Sequence, residues 1–111
     1  MLLDDETYFH NPEEHRQVIL EGIKGTTKDV GGIVNTAQNW RGSEELKTRV
    51  LLGVGQLQLG LLLADYLKYD LPEEISSKAG VLVDTYGGEA RGFIEDSLRK
   101  FNEQRTKNSS V

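Results

Sequence analysis

His10, Glu13, Glu14 and His15 form the densest group of side chains in this sequence that could hold a metal ion or move a proton. Metal ligands on one helix face stand three or four residues apart, whereas these histidines are five apart with Pro12 between them. They read as surface histidines at a helix start, and no metal site is assigned. A nucleophilic triad needs a serine or threonine oriented by a histidine, but both histidines lie in the N-terminal segment and no serine sits in a nucleophile turn. The glycine-rich stretches Gly22 to Lys28 and Gly53-Val54-Gly55 lack the glycine and lysine spacing of a phosphate loop or dinucleotide fingerprint. With no cysteine in the chain, there is no disulfide framework, thiolate ligand or thiol nucleophile. Asp65, Asp70, Asp84 and Glu89 lie beside apolar rows as helix-end and flank residues. The expectation is a non-enzymatic protein with no catalytic residue, cofactor or metal; a ligand or enzyme site between helices, built around Tyr66, Tyr69, Tyr86 and nearby acids, is the alternative.

Thirteen basic against eighteen acidic residues give a net charge of −5, which opposes the phosphate neutralisation that nucleic-acid binding requires. The excess is heaviest at the start, where Asp4, Asp5, Glu6, Glu13 and Glu14 face only Arg16. This stretch reads as a solvated acidic arm over residues 1–10, or as a docking surface for a basic partner. It does not show the basic region and apolar core of a secretory signal. The aliphatic-rich stretch from Val50 to Ala64 is interrupted by glycines and glutamines and falls short of the roughly 20 residues of a membrane span. A cytoplasmic protein with no membrane span is expected.

Those side chains must be positioned by helices. Asn11-Pro12-Glu13-Glu14 has a capping residue followed by proline and acids, and predicts a helix over about 12–40. Ile19, Ile23, Thr26, Val30, Ile33, Ala37 and Trp40 then recur in steps of four and three. Ser43-Glu44-Glu45 starts a second helix over about 43–70, with Leu46, Val50, Gly53, Leu57, Gly60, Ala64 and Leu67 on one face. Asp70-Leu71-Pro72-Glu73 starts a third over about 71–105. The fold class is all-α: three long antiparallel helices in an elongated bundle, a single domain over 11–105, followed by a polar flexible tail over 106–111.

Eleven of the twelve glycines fall inside these helices, each at about 1 kcal/mol relative to alanine. Close helix approach at Gly53 and Gly60, and at Gly88 and Gly92, would compensate. The competing arrangement has Gly31-Gly32 and Gly87-Gly88 breaking the helices and Ala79 to Tyr86, rich in β-formers, as a strand.

Helix 2 carries a second row, Leu52, Gln56, Leu59, Leu63 and Tyr66, roughly opposite the first. A helix apolar on two sides is sandwiched, either by helices 1 and 3 or by another copy of the chain, and self-association through helix 2, burying Leu52, Leu57, Leu59 and Leu63, is preferred. The interaction residues expected are Leu52, Leu59, Leu63, Tyr66 and Trp40. The partner is a protein, the homo-oligomer first, and the role that of an adaptor, regulator, inhibitor or phage-type structural component.

Trp40-Arg41-Gly42, at a turn between two helices of an acidic chain, resembles the WxG family of small helical-hairpin proteins exported by type VII systems. Tyr66 and Asp70 match that family's tyrosine and acid four residues on. The resemblance implies that Trp40 and Gly42 shape the hairpin turn, that Tyr66 and Asp70 belong to an export signal, and that the hairpin dimerises. It covers about 60 residues, and Leu71-Pro72 departs from it by opening another long helix. Leu51-Leu52-Gly53 with Gly60 resembles the region after the phosphoacceptor of histidine phosphotransfer bundles, but Arg49 stands at the acceptor position, which leaves only a packing pattern.

Overall fold

A computed structural model describes residues 11–109. The acidic arm, with His10, lies outside the described residues. The chain folds as α1 (Pro12–Thr36), a 3-10 turn (Trp40–Gly42), α2 (Glu44–Tyr66) and α3 (Glu73–Ser109), with no strand among the described residues. The bundle is extended and flat, 47 × 40 × 18 Å, with a radius of gyration of 16.7 Å, against about 13 Å for a compact chain of this length.

The C-terminal ends of α1 and α2 move inward from expectation for local reasons. α1 ends four residues early because Asn35, Thr36 and Asn39 are poor helix formers whose short polar side chains compete for the backbone. The chain tightens into the 3-10 turn, with Trp40 N–H donating to the Ala37 carbonyl and Ser43 N–H to that of Trp40. α2 ends at Tyr66 in a Schellman motif. Tyr69 N–H donates back to the Ala64 carbonyl at 2.8 Å, Lys68 N–H donates to that of Asp65 at 3.1 Å, and Lys68 takes the left-handed conformation at φ 59°.

Two of the expected caps are absent. Asn11 donates its side-chain amide to Glu14 instead of accepting from the backbone. Asp70 lies before the start of α3, and its carbonyl accepts from Arg16 Nε; the Pro72 carbonyl receives the first amides of that helix. Ser43 does cap, its Oγ accepting from Leu46 N–H at 3.3 Å. α3 runs on to Ser109, so the tail expected from 106 is helical over its first residues; Arg99 bridges Asp96 and Glu103 on the exposed last turns.

Gly31-Gly32 and Gly87-Gly88 sit inside α1 and α3 without breaking them, and Ala79 to Tyr86 is helix, not strand. One face of that segment holds it helical by burial, while its β-formers Val81 and Thr85 stay exposed. Ala79 is sealed against Ile23 and Leu57, with Leu82 and Val83 packed on the same cluster.

α2 is the central element, packed along both neighbours. Val30 and Ile33 of α1, Val50, Leu51 and Val54 of α2, Ala90 of α3 and Trp40 form the main core. The glycines of α2 set its distance from the others. A Cβ at Gly53 would stand 2.5 Å from Val30 Cγ2, one at Gly60 2.9 Å from Ile23 Cγ1, and one at Gly55 2.6 Å from Ile94 Cδ1. Gly88 and Gly92 are not close-approach positions, since nothing lies within 4 Å of a Cβ built at either. α1 and α3 meet over a much shorter stretch than either shares with α2, which leaves a groove between them.

Candidate interaction surfaces

Residues 52, 56, 59, 63 and 66 of α2 follow the four-three alternation and stay on one side of the helix over about 21 Å. Leu52, Gln56 and Leu63 border α1, and Leu59 and Tyr66 stand open to water. Leu59 is 70% exposed, Tyr66 81% and the adjoining Leu62 66%, while Leu52 and Leu63 keep over two-fifths of their surface in water. Together they leave roughly 550 Å² of side-chain surface uncovered, at the upper end of what monomeric proteins expose in one patch. Beside the row runs a shallow trough between α1 and α2, where Gly22 and Gly60 lower the wall below Ile19 and Leu63.

The expected interaction residues therefore separate. Leu52, Leu59, Leu63 and Tyr66 share the open face. Trp40 does not belong to it: the ring is 3% exposed and seals the end of the core. Leu57, expected to be buried by another copy, is fully buried within the bundle against Ile23 and Ala79. The reason is one of phase, since residue 57 projects between α1 and α3 while 59 points to water and 52 and 63 lie along the outer edge of α1.

Around Trp40 lies a polar cluster that no local pattern signals. Tyr86 of α3 meets the indole edge to face, with ring centroids 5.7 Å apart and planes at 84°. The Arg41 guanidinium stacks over Trp40 at 4.3 Å and makes a bidentate bridge to Glu89, with Nε to Oε2 at 3.0 Å and Nη2 to Oε1 at 2.9 Å. The Arg41 hydrogen bond holds the Glu89 carboxyl below its ordinary value, and the same bond raises Arg41. The bridge joins the α1–α2 turn to α3 across 48 residues of sequence.

At the other end of the bundle, His15 and Tyr69 are joined by a 2.8 Å hydrogen bond between Nδ1 and Oη, with the rings edge to face. The three tyrosines proposed as a ligand site are not brought together. Tyr69, in the α2–α3 connection, packs on His15 near the start of α1, Tyr86 packs on Trp40 beyond the end of α1, and Tyr66 points to solvent. Tyr66 and Asp70 are likewise separated by the left-handed Lys68, so they do not share a helix turn.

Among the described residues no group of three or more histidines and carboxylates is placed to hold a metal ion, and no helix is long and apolar enough to cross a membrane. Comparison with protein-family models, curated proteins and solved structures finds no match to the chain.

Proposed function

We propose that this protein is a non-enzymatic helical bundle that acts through protein–protein contact, as an adaptor, regulator, inhibitor or phage-type structural component, and that it self-associates through α2. The single observation that carries the reading is the uncovered row Leu52, Leu59, Leu62, Leu63 and Tyr66. An interface of standard size takes about 800 Å² from each partner, so the row supplies roughly two-thirds of one side, and the low α1 wall at Gly22 can supply the remainder. Two α2 helices meeting antiparallel about a two-fold axis at Leu59 would set Leu52 of one copy against Tyr66 of the other, a self-complementary arrangement. A cysteine-free chain suits a reducing cytoplasm.

Sedimentation equilibrium over a wide concentration range tests this. A dimer or larger species that persists on dilution, and that Leu59→Lys with Leu63→Lys reduces to a monomer of unchanged helicity, supports the reading. A wild-type chain that stays monomeric at the highest concentrations refutes it. A second reading, a WxG-like export substrate, draws on Trp40–Gly42 forming the turn between α1 and α2. Tyr66 and Asp70 are exposed, so alanine at both leaves the core intact; export unaffected by that pair of changes removes the second reading.

A further inference from the structure

The groove between α1 and α3, on a side of the bundle distinct from the open α2 face, has a volume of about 810 Å³. Its walls carry Lys24 and Lys28 from α1 and Lys78 from α3, a concentration of positive charge on a chain of net charge −5. Lys78 is bridged to Glu74 at 3.1 Å, while Lys24 and Lys28 have no carboxylate partner among the described residues. Ile75, Leu82 and the 60% exposed Val81 give it an apolar side. Basic rims over an apolar floor fit an acidic segment that carries apolar residues at both ends.

We infer that this groove is the docking site of the chain's own residues 1–10. Leu2 and Leu3 precede Asp4-Asp5-Glu6, and Tyr8 and Phe9 follow. The reach agrees with the charges. Lys24 lies about 20 Å along α1 from Asn11 and Lys28 about 26 Å, with side chains that lean back toward the helix start. A chain turning back at Asn11 places Glu6 to Asp4 up to about 17 to 23 Å away, level with those ammonium groups, and Leu2 and Leu3 up to about 26 to 30 Å away, beside Val81 and Leu82. Tethering at Asn11 keeps the effective concentration of the segment high, so several weak surface pairs suffice to hold it where a free peptide would dissociate. The inference is independent of self-association through α2.

The test uses the full chain with Thr7→Cys as its only cysteine, carrying a nitroxide spin label, and reads paramagnetic loss of backbone amide signals. Thr27, Gly31, Ser77 and Val81 are expected to lose their signals and Leu59 and Leu63 to keep theirs. The losses should disappear at about 0.5 M salt, where screening acts within about 4 Å, and in a Lys24→Glu, Lys28→Glu variant whose spectrum is otherwise that of the folded protein. Losses absent from the groove, or centred on the α2 face, overturn the inference. So do losses that survive both lysine changes. Mixing unlabelled isotope-enriched chain with spin-labelled chain separates the remaining occupant: groove losses in that mixture that grow with the labelled fraction mean that a second copy's segment fills the groove, which also overturns it.

Discussion

Replacing Gly53 by alanine sets two effects of known size against each other. A helix interior gains about 1 kcal/mol when glycine becomes alanine. Here the new methyl would stand 2.5 Å from Val30 Cγ2 and 3.5 Å from Thr26 Cγ2, whereas carbon atoms rest at about 3.5 to 4.0 Å. Val30 has nowhere to go. It is fully buried among Ile33, Trp40, Val50, Leu51, Val54 and Ala90, and a β-branched side chain in a helix has essentially one rotamer. α1 must therefore retreat by about 1 Å along its contact with α2. Overpacking of this kind costs about 1 to 3 kcal/mol, which leaves Gly53→Ala less stable than wild type by about 1 kcal/mol.

Gly92 supplies the internal standard, because it is exposed and nothing stands within 4 Å of a Cβ there. Gly92→Ala should gain about 0.5 to 1 kcal/mol, opposite in sign to Gly53→Ala. Urea unfolding followed by circular dichroism at two protein concentrations reads both changes and separates them from any contribution of self-association. Val30→Ala completes a double-mutant cycle. The smaller residue makes room for the new methyl, so the two substitutions should couple favourably by about 1 kcal/mol or more. If Gly53→Ala stabilises as much as Gly92→Ala, or shows no coupling to Val30→Ala, the α1–α2 contact is looser than described and the account of the glycines fails.

Lys68→Gly should raise stability by about 0.5 to 1 kcal/mol in the same unfolding assay, because a lysine at φ 59° carries a left-handed strain that glycine lacks, less the added freedom of the unfolded chain. Glu89→Gln should destabilise the protein at neutral pH, and the gap to wild type should close on acidification. The Arg41 bond lowers the Glu89 carboxyl in the folded state, so its contribution is full above the ordinary value of 4.5 and is lost as pH falls through the folded value. A gap that stays constant in unfolding curves taken between pH 7 and pH 3 would contradict that linkage. Asp96→Asn should show the same acid-side closure, through Arg99 and Lys100.

The existence and order of the helices were legible because each is long and periodic, and because Ser43 and the two prolines mark boundaries by chemistry that acts within a few residues. The ends that shifted were set by longer-range or less common signals. Lys68 closes α2 in a motif usually marked by glycine, so nothing at that position announces the stop. The strand alternative over Ala79 to Tyr86 was a fair reading of Val81, Val83 and Thr85 alone. Tertiary burial decided it, since the cluster with Ile23 and Leu57 collects residues one helical face apart and not alternate ones. Gly88 and Gly92 are spaced like a packing seam yet face water, whereas Gly55, unremarked by spacing, is the one that lets Ile94 approach. Spacing says which residues share a face, but not which face meets another helix.

The same limit explains the site. Tyr66 and the leucines of the open row could be grouped by period, and the structure leaves them grouped and uncovered. Trp40 ends the apolar stripe of α1 yet could equally face a partner, and its burial is decided by packing with Tyr86, more than forty residues away. What remains is a geometric argument about α2. A helix in a three-helix bundle has two neighbours and can bury two faces. The glycine side toward α1 and the Gly55 side toward α3 take both, at close range. The leucines at 52, 59, 62 and 63 form a third apolar face with no neighbour left to cover it, on a chain that places charged residues freely over its other exposed helix surfaces. Lysine or glutamate at those positions would serve an isolated bundle better in solubility, at little loss of helix propensity. That apolar third face is the ground on which the proposed self-association through α2 rests.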